Sequence, residues 1–191
     1  MYQYNEKLNI GASFRSKVEH EFDTNLSGPM QVGIVTELAV PAIADISSSY
    51  ALTNDLNLLA SIQLHRWSEW DQTSFGDQVA IQRDWEDVWK FAIGTDYRLN
   101  ADWRLKAGFS YETSPQDDPT KQWVDLPVGE QYRYSVGAST QWEEYTFDIF
   151  YEYADLGSVD IARDGRVEGQ FLDVTGSFDG RIHFIGASMT F

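Results

Sequence analysis

Apolar and polar residues alternate one by one over long stretches of this chain. Between 89 and 99, Trp89, Phe91, Ile93, Thr95, Tyr97 and Leu99 fall on one side, and Lys90, Ala92, Gly94, Asp96 and Arg98 on the other. Residues 103–112 repeat the split, with Trp103, Leu105, Ala107, Phe109 and Tyr111 against Arg104, Lys106, Gly108, Ser110 and Glu112. It recurs at 132–142 and 145–153. A period of two belongs to strands, not helices. Eight such segments stand at about 8–17, 43–52, 57–67, 88–99, 103–113, 132–142, 145–154 and 181–191. Most approach the ~9–11 residues that a tilted strand needs to cross a bilayer, whereas soluble strands centre on ~5–6. The first two are the least regular, and Pro41 is tolerable only at the start of the second.

The connections alternate as well. Residues 53–56, 100–102 and 143–144 are short turns, and 18–42, 68–87, 114–131 and 155–180 are long loops. Short turns at one rim and long loops at the other are the plan of an outer-membrane barrel. Charge follows the same division. The chain has 14 Lys+Arg against 30 Asp+Glu, a net charge of −16. Residues 18–37, 68–87, 113–130 and 154–180 carry net −4, −5, −3 and −4, so the acidity sits in the long loops and the strands are balanced. Aromatics mark the ends of the apolar side, at Trp89, Tyr97, Trp103, Tyr111, Tyr132, Trp142, Tyr145 and Tyr153, as the two girdles of a membrane barrel require.

Several function classes fall away. An acidic chain is a poor binder of DNA or RNA, which need a basic face. With no cysteine there is no disulfide, thiolate metal site or cysteine nucleophile. The aromatic content, 15%, is too high for a disordered acidic chain. No apolar run approaches the roughly 18 residues of a membrane helix, and residues 1–6 carry no secretory signal. A soluble barrel or sandwich also alternates, but predicts short strands, mixed loop lengths and no aromatic banding. Catalysis has little to stand on. His65 shares a side with Ser61 and Gln63, yet no nucleophile motif surrounds it, and His183 falls among girdle residues. Residues 160–165 lack calcium-loop spacing, although acidic loops suit loosely held divalent ions. The expectation is no enzyme, no cofactor and no specific metal.

In its details the chain resembles the FadL/OmpP1/TodX family of outer-membrane transporters for long-chain fatty acids and aromatic hydrocarbons. Residues 8–17 resemble the family's R-x-G-x-x-Y-R-S strand, and Leu38-Ala39-Val40-Pro41 its L-x-L-P. Trp67-Ser68-Glu69-Trp70 matches W-S-x-F, and residues 85–94 match W-x-D-x-x-R-x-A-x-G. Residues 103–115 match W-x-x-R-x-G-x-x-x-D-x-S-P, and His183 to Phe191 match the closing strand. Gly186, Met189 and the terminal Phe191 look like the signal read by the bacterial barrel-assembly machinery.

The resemblance implies an all-β antiparallel transmembrane barrel in the bacterial outer membrane, surrounded by lipid and lipopolysaccharide. It implies passive transfer of a hydrophobic small molecule. The family's barrel has fourteen strands and an N-terminal hatch. Residues 1–191 would supply about eight C-terminal strands as a single unit, without the hatch or the kinked strand through which the family releases substrate. A fragment or a misplaced start is therefore expected. The alternative is a small closed eight-stranded barrel, a binding or structural module, sealed by pairing 8–17 with 181–191.

Ligand recognition needs an apolar wall and a cation for a carboxylate. By face, the inner cations are Arg15, Lys17, Lys90, Arg98, Arg104, Lys106 and Arg133, and Asp45, Asp96, Glu112, Asp148 and Glu152 are available to neutralise them. The substrate-binding expectation falls on Arg83, Trp85, Lys90 and Arg133. Arg83 is the resemblance's basic residue upstream of W-x-D, with a surface role as its alternative; Trp85 and Trp89 line a tail pocket or serve the girdle. The family's Asp-Arg before strand 132–142 is replaced by Glu130-Gln131, which shifts any role of that arginine to Arg133. Met30, Val32, Ile34, Val35 and Leu38 offer a capture surface.

Overall fold

The computed structural model describes residues 2–26, 32–70, 72–75, 79–163, 166–167, 170–171 and 174–191. In chain order the strands are β1 (Tyr2–Gln3), β2 (Leu8–Arg15), β3 (Val18–Leu26), β4 (Val32–Val40), β5 (Ile43–Ala51), β6 (Leu56–His65), β7 (Gln72–Phe75), β8 (Val79–Gln82), β9 (Val88–Arg98), β10 (Trp103–Glu112), β11 (Gln131–Trp142), β12 (Tyr145–Arg163), β13 (Arg166–Val167), β14 (Gln170–Phe171) and β15 (Val174–Thr190). A short 3-10 turn spans Trp67–Glu69. Nine strands form one antiparallel sheet in the order β1-β2-β5-β6-β9-β10-β11-β12-β15. The eight expected segments are all present in it, trimmed by a residue or two at their ends or extended at the long-loop rim.

The short-turn rim is built from side chains that mimic backbone acceptors. Thr53 Oγ1 accepts from the amides of Asp55 and Leu56, and Asn100 Oδ1 from those of Asp102 and Trp103. Such local bonds are why these residues favour turns. They fix the register of the strands on either side.

That register sorts every side chain. Across the sheet one row reads Leu59, Gly94, Gly108, Ser135, Glu152 and Phe184; the next reads Asn57, Asp96, Lys106, Gly137, Phe150 and Gly186. These two rows are polar or small, apart from Leu59, Phe150 and Phe184. The opposite side is mainly apolar, with Ser48, Thr95, Thr140 and His183 as exceptions, and points outward: Ile93 is 64% exposed, Val136 58% and Ile185 79%. On the polar side a concavity of about 740 Å³ runs from Ser47 to Glu152. The sheet is therefore an inside-out wall, with polar groups on its hollow side. Such a wall finds its solvent in hydrocarbon, where each large outward side chain gains roughly 1.5–3 kcal/mol relative to water.

Three expected loops contain ordered strands instead, and residues 68–87 hold β7 and β8. Residues 18–42 hold the β3–β4 hairpin, which continues the β2–β5 ladder in unbroken register: Arg15 opposes Ile43 and Val18 opposes Val40. The ladder lapses only where Ser16 and Lys17 face Ala42 and Pro41, because proline has no N–H to donate. Above this break the hairpin enters a second sheet, in the order β3-β4-β7-β8. Likewise β12 runs for 19 residues and β15 for 17, well beyond a bilayer's need. Alternation persists across both regions, and the turn residues between them disguise the strands as loop.

The β12–β15 pair has a bulge between Asp155 and Ser158. Gly157 sits there at φ +75°, its amide donating to Asp155 Oδ1 at 3.0 Å. A Cβ at this position would lie 2.7 Å from the Glu130 carbonyl oxygen. The bulge bends the long hairpin as it leaves the wall.

Closure of eight strands on themselves is not what forms. The order of the main sheet is linear, and β1 and β15 are its two edges. Among the described residues no ladder joins β2 to β15. An eight-stranded barrel requires tight curvature and a filled interior, and this sheet has a broad hollow face.

Gly157→Ala is expected to lower stability by roughly 1–3 kcal/mol, through strain at positive φ and the clash with Glu130. Gly176→Ala, where an added Cβ meets nothing within 4 Å, is expected to stay within about 0.5 kcal/mol of the parent. Denaturant unfolding of the full-length protein in detergent measures both.

Candidate functional site

Two regions carry the chemistry: the charged hollow face and a tryptophan cluster at the long-loop rim. On the hollow face the strand register brings opposite charges together. Lys90 Nζ lies 3.6 Å from Glu112, Arg104 Nη1 3.3 Å from Asp96, Lys106 Nζ 3.0 Å from Asp148, and Arg133 Nη1 2.9 Å from Glu152. Asp148 also accepts from Ser139 Oγ. At the short-turn rim Arg98 Nε meets Asp55 at 3.0 Å. These pairs are half-open to the hollow and worth about 0–1 kcal/mol each. Their larger effect is to leave the face polar without unbalanced charge.

Between the pairs the face is smooth. Phe150 lies flat against it because Gly186 is opposite on the next strand; a Cβ there would fall 2.2 Å from the Phe150 ring. With Phe184 and Leu59 it gives the polar side its exposed apolar surface.

The tryptophan cluster is assembled from residues distant in sequence. The 3-10 turn presents Trp67, with Trp70 stacked on it at 5.9 Å. Trp85 meets both edge-on, at 5.2 and 5.1 Å. Arg83 is 2% exposed beside them, its guanidinium carbon 5.8 Å from the Trp70 ring and 5.5 Å from the Trp85 ring. Its Nε donates to Thr73 Oγ1 at 2.9 Å, and Nη1 and Nη2 grip Asp125 at 3.1 and 2.7 Å. Each guanidinium nitrogen thus donates within the chain. Asp84, between Arg83 and Trp85, has φ +50°, a conformation Asp tolerates better than most residues. Its carbonyl accepts from Gln116 Nε2 at 2.6 Å. Arg83 and Trp85 are buried on either side of the exposed Asp84.

Segment 113–131 is strapped over this cluster. Trp123 Nε1 donates to the Gln82 carbonyl at 2.9 Å, and the Glu86 amide to that of Pro115 at 2.8 Å. Arg163, on the extension of β12, lies 3.4 Å over the Trp123 ring. Burial raises the affinity of the Asp125 carboxyl for its proton. The Arg83 bonds and charge, with the amides of Asp125 and Leu126, outweigh it and hold the group below its ordinary value of 3.8.

The expected site residues are therefore divided. Lys90 and Arg133 lie on the hollow face, each paired with an acid. Trp85 lies in the tryptophan cluster, buried. Arg83 is neither at the surface nor free to take an outside carboxylate, because Asp125 already occupies its bidentate edge. Trp89 points outward from the apolar side as a girdle residue. Of the capture surface, Val32, Ile34, Val35 and Leu38 lie on β4, and Met30 is outside the described residues. His65 bonds Gln63 Oε1 at 3.0 Å on the hollow face. His183 bonds Tyr151 on the apolar side. Sequence reasoning misses Asp125, Thr73 and Gln116, because nothing in their local sequence sets them apart.

A family model described as outer membrane protein transport protein (OMPP1/FadL/TodX) matches residues 1–191. The chain belongs to this family. Outer membrane protein P1 of Haemophilus influenzae is 23% identical over 199 residues, covering 96% of this chain and 43% of that protein. The crystal structure of a Pseudomonas aeruginosa FadL homologue superposes with a TM-score of 0.80 at 18% identity, over 98% of this chain and 48% of that one. The Pseudomonas putida toluene transporter TodX superposes at 0.65, with 15% identity, over 98% and 46%. The chain thus spans under half the length of these relatives, and the open sheet is part of an OMPP1/FadL/TodX barrel in the bacterial outer membrane.

Asp125→Asn is expected to loosen the tryptophan cluster by about 1–2 kcal/mol, less than a fully buried pair because the carboxylate is partly open to water. Because the folded-state pKa of Asp125 is depressed, its contribution is complete above pH 3.8 and fades as pH falls through the lower folded value. Tryptophan fluorescence of the full-length protein, titrated downward from pH 5, reads both effects. The Asp125→Asn variant should lack the acid transition.

Proposed function

We propose that this chain supplies the C-terminal wall and long loops of an outer-membrane channel for passive transfer of hydrophobic compounds, long-chain fatty acids or aromatic hydrocarbons. The observation that carries the reading is the inside-out sheet. Its outer side is apolar, and its hollow side is lined by small residues and neutralised charge rather than interlocked side chains. Such a wall needs lipid outside and leaves room for a solute inside. Membership in an outer membrane transport family supports it, as does the likeness to a protein named a toluene transporter. No catalytic step enters the reading.

In this reading the solute meets the tryptophan cluster first. Trp67, the one of the three tryptophans that is not buried, gives it apolar surface, Trp85 backs it, and Arg83 serves as the frame that holds them. Lys90 and Arg133, with Phe150 and Phe184, then line the route along the hollow face. The short-turn rim faces the periplasm, and the strand ending in Phe191 is the segment offered to the barrel-assembly machinery.

The test uses the full-length protein in lipid vesicles, with uptake of a radiolabelled fatty acid and of toluene followed in time. Faster uptake of either than in empty vesicles is expected; properly inserted protein that speeds neither would overturn the reading. Ser135→Trp, on the hollow face, is expected to slow uptake severalfold. Val136→Trp, one residue on and facing lipid, is expected to leave it unchanged.

A further inference from the structure

Segment 113–131 leaves the wall and returns to it at one place. Glu112, the last residue of β10, is paired in register with Gln131, the first of β11. Between them, among the described residues, the chain forms no strand and joins no ladder. It is braced from within instead. The buried Gln122 donates through Nε2 to the carbonyls of Gln116 and Val128, and its Oε1 accepts from the Val128 amide. One side chain thus ties the outgoing limb to the returning one. A loop with adjacent ends and its own packed side chains is an Ω-loop, built to move as a unit about those ends.

Its far part is fastened to the rim mainly by side chains. Asp125 takes the Arg83 fork, Trp123 Nε1 reaches the Gln82 carbonyl, and Arg163 covers the Trp123 ring while its Nη1 donates to the Lys121 carbonyl at 3.0 Å. One backbone bond joins them there, from the Ala162 amide to the Pro119 carbonyl. Gln116 and Pro115 hold the root, against Asp84 and Glu86. The far contacts can therefore part without unzipping a strand. Val124 and Leu126, on either side of Asp125, are exposed apolar side chains at the latch itself.

What the rim hides is apolar. Trp70 and Trp85 are buried, and so is Val88, which belongs to the inner row of the wall beside His65. A hydrophobic solute gains by contact with such surface only where it is uncovered. It therefore binds the uncovered state in preference and draws the loop toward it, with no other source of energy.

We infer that segment 113–131 is a lid at the long-loop mouth, latched through Asp125 and Trp123, that lifts about its adjacent ends to let a hydrophobic solute reach the hollow face. The inference rests on the transport reading and adds a moving part to it.

Residues 1–191 contain no cysteine, so introduced thiols can pin the loop. The full-length protein, kept free of other cysteines, carries Gln82→Cys and Val124→Cys, two exposed positions beside the latch. A bis-methanethiosulfonate joins them and reductant releases them. In lipid vesicles, joining is expected to slow toluene uptake severalfold, and reduction to restore it. Asp118→Cys with Lys121→Cys, joined within the loop, should leave uptake at the parent rate. A second readout needs no transport. A thiol at Val88→Cys in detergent should react with a maleimide severalfold faster when toluene is present, and faster without toluene when Asp125→Asn is added. Uptake unchanged by complete joining of 82 to 124 would overturn the lid while leaving the transport reading in place. So would a Val88→Cys thiol indifferent to both toluene and Asp125→Asn. An unjoined, properly inserted protein that moves no solute would remove the transport reading, and the lid with it.

Discussion

Backbone hydrogen bonding governs everything else in this molecule. In hydrocarbon an unpaired N–H or C=O costs several kcal/mol, so a membrane-crossing strand must be laddered to a neighbour on both sides. From β5 to β12 each strand of the main sheet meets this demand without interruption in the wall. The ladder lapses where the chain leaves the wall, at Pro41 and at the Gly157 bulge, where Asp155 Oδ1 takes the Gly157 amide. The two edges carry the same demand, and family membership supplies the context for it: the matched barrels are about twice the length of this chain.

Once the ladder is fixed, period two does the sorting. A one-residue slip would turn Lys106 and Arg133 into lipid and Ile93 and Val136 into the hollow, so register is strongly specified. The same register puts most inner cations within reach of an acid on a neighbouring strand. Small residues at Gly94, Gly108, Ser135 and Gly137 keep the wall thin between these pairs, and Gly186 lets Phe150 lie along it. The hollow is thus a consequence of what the inner positions omit. The outward girdle follows from the same alternation: Phe109, Tyr111, Tyr132, Tyr134 and Tyr153 fall in ring contact across three adjacent strands.

The long-loop rim follows different physics. It lies in water and has its own small core, in which Val88 is 1% exposed and Arg83 2%. Arg83 is tolerated there because its partners are complete: Thr73, both oxygens of Asp125, and two tryptophan faces. The strap over the tryptophans is polar as well as aromatic, with Gln116 and Gln122 buried and bonded to backbone carbonyls. Such a unit changes state as a whole, since loss of any one partner leaves the others unsatisfied.

The wall is legible in the sequence because its rule is local. Alternation, strand length, turn residues and girdle aromatics can each be read within a dozen residues, and together they yield the strands, their faces and the family. The neutral pairing of inner charges follows from the same faces. The tryptophan cluster is not legible, because its contacts are set by tertiary structure. Arg83 and Asp125 are 42 residues apart. Neighbouring residues do not reveal that Arg83 is already neutralised; that depends on which acid the folded chain places nearby. The hairpin inside 18–42 is hidden for a related reason. Its strands are ordered by continuing the β2–β5 register past a proline, and register is a property of two strands, not of one.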